Sequence, residues 1–341
     1  MSRLIAPLLC VAALCAVPHF VSSPYALHLF ILLFSSIALG GAWNLIGGWA
    51  GQYSVGHAAY FGIGAYTTVI LLTRRELAPW LSVFPAALLC AAVAILIGSI
   101  CFRLRGPYFV LASIAVAEII RLTALNWNFV TNGAEGILAS DLPPLTILGH
   151  TLTDFSSKTP FYYWALLLAT LATAVNALLR RVPLGFRLQA IREDQDAAAS
   201  LGIDVGRAKN TALIISAILT GLVGSFYGVY VGFIDPGSVL GLDLSVQIVL
   251  VCIIGGVGTV YGPLLGALVL VPLDEGLRAN LLADGLFKLG LNEASPTGVF
   301  LRDNLAHAHV LIYGILIVLV ILFMPDGVLG FAAHRLRRIG R

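Results

Sequence analysis

The sequence predicts an all-α, polytopic integral membrane protein of about ten transmembrane helices, some short or broken at glycine and proline, forming a single domain over residues 1–341. Three observations carry this. The 341 residues are 59% hydrophobic and 11% charged, where a soluble domain carries roughly a quarter charged residues. Mean hydropathy is +0.95. Apolar runs of membrane length, about 20 residues for a helix crossing the roughly 30 Å hydrocarbon core, recur from end to end.

In chain order the spans fall at about 4–20, 25–46, 51–72, 81–102, 107–125, 161–179, 211–233, 244–257, 260–273 and 309–324. The first, "MSRLIAPLLCVAALCAVPHF", also has the layout of a cleavable signal peptide and is expected to be a retained span. The eighth and ninth come from one long run, "LSVQIVLVCIIGGVGTVYGPLLGALVLVP", divided at Gly255, Gly256, Gly258 and Pro263, where glycine and proline break a helix. Two outer loops are long, about 126–160 and 274–308. In the second, Leu277, Leu281, Leu282, Leu286 and Leu289 recur near helical spacing, which predicts a helix on a membrane or partner surface.

Ten crossings put both termini on one side, and charge says which. With the termini cytoplasmic, Arg3, Arg103, Arg105, the basic residues from Arg180 to Lys209 and the tail Arg335, Arg337, Arg338 and Arg341 lie inside, 13 of the 20. Arg74, Arg75, Lys158, Arg278, Lys288 and Arg302 lie outside and Arg121 within a span. Lysine and arginine cluster on the cytoplasmic side of membrane proteins, so this orientation is expected.

The cytoplasmic loop, about 180–210, reads "RRVPLGFRLQAIREDQDAAASLGIDVGRAKN". Asp194 is placed to cap a helix through Ala197, Ala198 and Ala199, Gly202 to end it in a left-handed residue, and Asp204 to cap the next span. Leu188, Ile191, Ala198 and Leu201 fall on one side and Arg192, Glu193 and Asp196 mostly elsewhere, an apolar ridge with a charged rim that suits a groove on another protein. The plainer reading is a solvated connector that enforces topology.

Polar groups inside spans are candidates for a path. The break at Gly47, Gly48 and Gly51 before Gln52 resembles the discontinuous helices on which transporters hold substrate. Ser54, Ala58 and Gly62 recur every fourth residue as a close-packing stripe, with Tyr53, His57 and Tyr60 beside it. His57 is either a neutral core histidine satisfied by the backbone or a path-lining group, and Glu118 with Arg121 either a structural pair or part of a gate. The candidate path set is Gln52, Ser54, His57, Tyr60, Glu118, Gly255, Gly256 and Gly258. The GG start shared by the two glycine stretches suggests a trace of an inverted repeat.

Other classes find no support. GxxxxGK[ST] is absent, so no nucleotide cradle is encoded, and no HExxH, GxSxG or paired-aspartate constellation points to catalysis. Cys10, Cys15, Cys90, Cys101 and Cys252 lack metal spacing and read as small core residues, leaving no metal site. Nothing suggests nucleic-acid binding. A self-contained, ion-coupled carrier remains a competing reading of the broken helices.

Four stretches carry a family resemblance: "GGWAGQYSVGHAAYFGIGAYTTVIL", "AIREDQDAAASLGIDVGRAKNTALIISAILTGLVGSFYGVY", "IGGVGTVYGPLLGA" and "LIYGILIVLVILFMPDGVLG". In this order they resemble the LivM-type permease subunits of branched-chain amino acid ABC importers. The resemblance implies a bacterial inner-membrane permease that binds no cofactor itself. It also implies a second homologous permease, two ATPase subunits that hydrolyse ATP, and a periplasmic substrate-binding protein. The cytoplasmic loop then resembles the coupling helix that fits an ATPase, with Gln189, Ala190, Arg192, Glu193, Asp194, Ala198, Leu201, Gly202 and Asp204 as its coupling residues. Leucine, isoleucine and valine are the implied substrates, with urea, short amides or other amino acids as alternatives. The outer segment from Asp274 to His309 is longer than the family pattern.

Overall fold

A computed structural model describes residues 2–21, 23–139, 145–147, 150–153 and 157–278, with single positions at 314, 315, 318, 322 and 327. The long helices are α1 (Ser2–Phe20), α2 (Pro24–Ile46), α3 (His57–Arg75), α4 (Pro79–Cys101) and α5 (Pro107–Asn126). A short α6 (Asn128–Thr131) and strands β1 (Ile137–Leu138), β2 (Leu145–Ile147) and β3 (His150–Thr153) lead to α7 (Thr159–Leu179). Then come α8 (Pro183–Glu193), α9 (Gln195–Ser200), α10 (Val205–Val231), β4 (Phe233–Ile234), α11 (Pro236–Leu240), α12 (Leu242–Gly255) and α13 (Gly262–Arg278). Prolines open α2, α4, α5, α8 and α11. The first turn tolerates proline because its N–H groups have no intrahelical acceptor.

Among the described residues, six segments are long and apolar enough to cross a membrane: α2, α4, α5, α7, α10 and the combined α11–α12. Helices α1, α3 and α13 occupy three further predicted spans. The predicted span at about 309–324, most of the outer segment 274–308 with its leucine-spaced helix, and the basic tail lie outside the described residues. The division of the eighth and ninth spans falls where glycine places it: α12 stops at Gly255 and α13 starts at Gly262.

Contacts define two ends. At the end where α8 and α9 form a hairpin, Arg105 pairs with Asp196 at 3.0 Å, and Lys209 Nζ donates to Gln195 Oε1 at 2.5 Å while lying over the Phe102 ring. Gly327 sits against the Gly256 turn at this same end. At the far end, Arg74 donates to the carbonyls of Phe129 and Val130 at 2.8 and 3.1 Å, His28 and Tyr230 share a hydrogen bond, and β1 pairs antiparallel with β4. Arg74, an exception to the charge asymmetry, is thus held by carbonyls left free near α6.

The core lies where α2, α3 and α10 meet. Windows of α2 and α10 are 72% buried, against 22% for α4 and α5, so the first pair is central and the second peripheral. Glycine permits the α3–α10 contact: a Cβ on Gly64 would collide with Gly221 O, and one on Gly224 with Phe61 O. Ser225 Oγ donates to Gly64 O at 3.1 Å across the same contact. Small residues allow such backbone approach in a membrane, where lipid supplies no hydrophobic drive for helix pairing. Gly224→Val is expected to cost about 1–3 kcal/mol by overpacking, measured as a lower melting temperature of the detergent-purified protein.

Candidate functional site

The predicted third span starts late. The chain is non-helical from Gly47 to Gly56 and α3 begins at His57. Ser54 and Tyr53 therefore precede the helix, and the predicted stripes keep only Ala58 with Gly62 and His57 with Tyr60. The reason is a set of bonds that fold this segment back on α2: Gln52 N donates to Ile46 O at 3.0 Å and Trp43 Nε1 to Ser54 O at 2.6 Å. Tyr53 turns outward, 44% exposed, beside Trp43, and Gln52 is half-buried. Gly62 retains its predicted role, with Leu240 of α11 where its side chain would be.

His57 is fully buried. Its Nε2 lies 2.8 Å from Ser216 Oγ on α10 and its Nδ1 3.2 Å from Ser54 Oγ. Ser216 gives its single hydroxyl proton to Ala42 O on α2 at 2.7 Å, so Nε2 donates to Ser216 and Nδ1 accepts from Ser54. A neutral imidazole thus uses each partner once. Tyr60, also buried, meets the His57 ring edge-on. Ser245 Oγ on α12 accepts from Ala58 N at 2.9 Å, satisfying one free N–H at the start of α3. His57→Ala is expected to cost about 1–3 kcal/mol by leaving Ser54 without its acceptor. An unchanged melting temperature in detergent would remove this structural role.

A second buried cluster joins the two glycine breaks. Asn44 Nδ2 donates to Asn176 Oδ1 and to Thr259 O, each at 2.9 Å, and Asn44 Oδ1 accepts from Gly258 N at 2.8 Å. Asn176 Nδ2 donates to Gly41 O and Ala172 O, and its Oδ1 also accepts from Trp49 Nε1 at 3.0 Å. Both amides are fully buried, and every side-chain nitrogen and oxygen of the two is hydrogen-bonded. They tie α2, α7 and the 256–261 turn together. Sequence reasoning passed over both; the available signal was a lone asparagine inside each apolar run, "GGAWNLIGG" and "LATAVNALL".

At the hairpin end the capping grammar forms. Asp194 Oδ1 accepts from Asp196 N and Ala197 N at 2.9 and 3.0 Å, Gly202 is left-handed at φ +83°, and Asp204 Oδ1 accepts from Arg207 N at 2.9 Å. Asp194 is extended, ending α8 and capping α9, so two helices stand where the capping signals marked one. The predicted ridge needs correcting: Leu188, Ile191 and Ala198 are buried in this chain, and of the four only Leu201 is exposed, at 83%. They pack inward because the hairpin folds onto the bundle, where Lys209 fastens it through Gln195. Gln189, Arg192, Glu193, Asp194 and Gly202 are exposed, Ala190 is half-buried and Asp204 is exposed.

On α5, Glu118 and Arg121 form the expected pair, bidentate at 2.6 and 2.8 Å, with side chains 43% and 27% exposed. Gly255 and Gly256 close α12, and Gly258 meets Asn44. Ser54, Gly56, Tyr60 and Ser113 line a cleft with α4 and α10 that has room for about one water molecule, not an amino acid. Among the described residues no group of three or more metal-ligating side chains is assembled.

Six membrane-length apolar helices among the described residues, with a capped hairpin folded onto one end of their bundle, define a multi-pass helical membrane protein. The chain belongs to the family described as the branched-chain amino acid transport system / permease component, which matches residues 26–322. It is 33% identical over 262 residues to the high-affinity branched-chain amino acid transport system permease protein LivM of Escherichia coli (strain K12), covering 71% of this chain and 61% of that protein. The chain thus spans about three fifths of the length of that relative. It is 23% identical over 316 residues to LivH of the same organism, covering 87% of this chain and 94% of LivH. A shorter match, 30% over 118 residues, is to the xylose transport system permease protein XylH of Haemophilus influenzae, 33% of this chain and 31% of XylH. No solved structure matches.

Proposed function

We propose that this chain is a permease subunit of an ATP-driven importer for branched-chain or related hydrophobic amino acids. It forms part of the translocation path and couples to separate ATPase subunits through the α8–α9 hairpin. The capped hairpin carries this reading: a branched-chain transport family chain without a nucleotide motif presents, at one end, a rigid element whose exposed tip is Leu201. The coupling unit is assigned to Gln189, Ala190, Arg192, Glu193, Asp194, Ala198, Leu201, Gly202 and Asp204, with Ala198 and Arg192 as its supports toward the bundle and the others forming its surface. Gln52 and Glu118 face the path, Ser54, His57 and Tyr60 shape the wall behind them, and Gly255, Gly256 and Gly258 allow the small shifts of alternating access.

The assembly holds this chain, a second homologous permease, two ATPases and a periplasmic binding protein in a bacterial inner membrane. Ten spans leave both termini cytoplasmic, and this chain binds no cofactor. Similarity to a permease named for xylose leaves substrate range open within the family, so urea, short amides and other amino acids are the alternatives. Proteoliposomes with all five chains are expected to take up labelled leucine only with ATP inside and binding protein outside. Uptake by this chain alone, driven by a proton or sodium gradient, would establish an ion-coupled carrier instead.

A further inference from the structure

We infer that Arg192 acts as a strut that carries movement of the α8–α9 hairpin to both glycine breaks. This rests on the coupling reading above and deepens it. Arg192 Nη1 donates to Gly48 O at 2.8 Å. Its stem lies along Gly51, where a Cβ would come 3.1 Å from Arg192 Cγ, and its guanidinium fills the place where a Gly258 side chain would stand. Three glycines from two distant stretches therefore form the walls of one arginine slot.

The slot is continuous with the buried asparagine cluster. Gly48 and Gly258 touch backbone to backbone, since a Cβ on Gly48 would come 2.7 Å from Gly258 N, and Gly258 N is held by Asn44 Oδ1. Asn176, which grips the same cluster, lies on α7 just before the hairpin. From Gly48 the chain runs through Ser54 to His57 at the start of α3, fastened there to α2 and α10 through Ser216. A displacement of α8 thus bears on the 47–56 segment and the 256–261 turn at once, through one side chain. Guanidinium suits this because its planar fork keeps a fixed geometry with little freedom to lose.

The test uses the reconstituted complex and reads ATP hydrolysis, uptake and amide hydrogen exchange. Arg192→Ala is expected to assemble and hydrolyse ATP within about twofold of the parent, while uptake per ATP falls about tenfold or more, the size of a lost coupling interaction. Exchange in residues 47–56 rises with that of α10 unchanged. Arg192→Lys, which keeps the stem in the slot and one donor, recovers part of both. Uptake falling only in proportion to hydrolysis, or exchange in 47–56 unchanged in both variants, overturns the strut. A parent complex that shows no ATP-dependent uptake instead removes the coupling reading itself, so the two failures are told apart.

Discussion

Asn44→Leu is expected to lower stability by about 2–5 kcal/mol, because it strips partners from the Gly258 N–H, the Thr259 carbonyl and Asn176 at once in a buried site. Size is nearly preserved, so the loss comes from stranded polar groups and not from a cavity. The measurement is the melting temperature and the monodisperse fraction after heating in detergent. Asn176→Leu should show a similar loss. The double variant should cost less than the two singles together, since each single leaves the other amide stranded. Additivity within about 0.5 kcal/mol would mean that the two amides act independently and that the cluster is no unit.

The second large effect is on coupling. Gly202→Val with Asp204→Ala places a β-branched side chain at φ +83° and removes the acceptor for Arg207 N. Left-handed backbone costs a non-glycine residue roughly 1–2 kcal/mol and a lost N-cap about 1 kcal/mol. Both costs fall on the exposed turn between α9 and α10, so insertion should be unchanged while the melting temperature falls by a few degrees. Uptake per ATP hydrolysed should fall by about tenfold or more if the hairpin engages the ATPase. Coupled uptake at the parent ratio in a variant shown to carry the altered turn would sink the docking role.

The hairpin shows how legible this chain is. Asp194, Gly202 and Asp204 were readable because capping is local: a carboxylate three residues ahead of a free N–H, or a glycine where a helix must turn left-handed, depends on neighbours in sequence alone. The ridge of Leu188, Ile191 and Ala198 was readable as apolar, but its destination was not, since periodicity identifies a face without saying what covers it. The bundle covers it, leaving Leu201 as the exposed tip. The glycine stretch divides in the same way. Its break at Gly47 and Gly48 was visible, whereas the ten-residue return to His57 depends on Trp43 reaching Ser54 O.

Sequence by itself determined the membrane class, most span positions, the division of the run at Gly255 to Gly258, the caps of the hairpin and the pairing of Glu118 with Arg121. Each follows from transfer free energy or from bonds within one turn of helix, and so from residues close in the chain. Tertiary structure alone decided that Asn44 meets Asn176 across 132 positions, that His57 is shared by α3 and α10, and that Arg192 lies in a slot built from Gly48, Gly51 and Gly258. These pairings have no local signature. A polar group buried among helices must find a partner, but which helix supplies it is fixed by packing, and packing here is set by where glycine lets backbones touch.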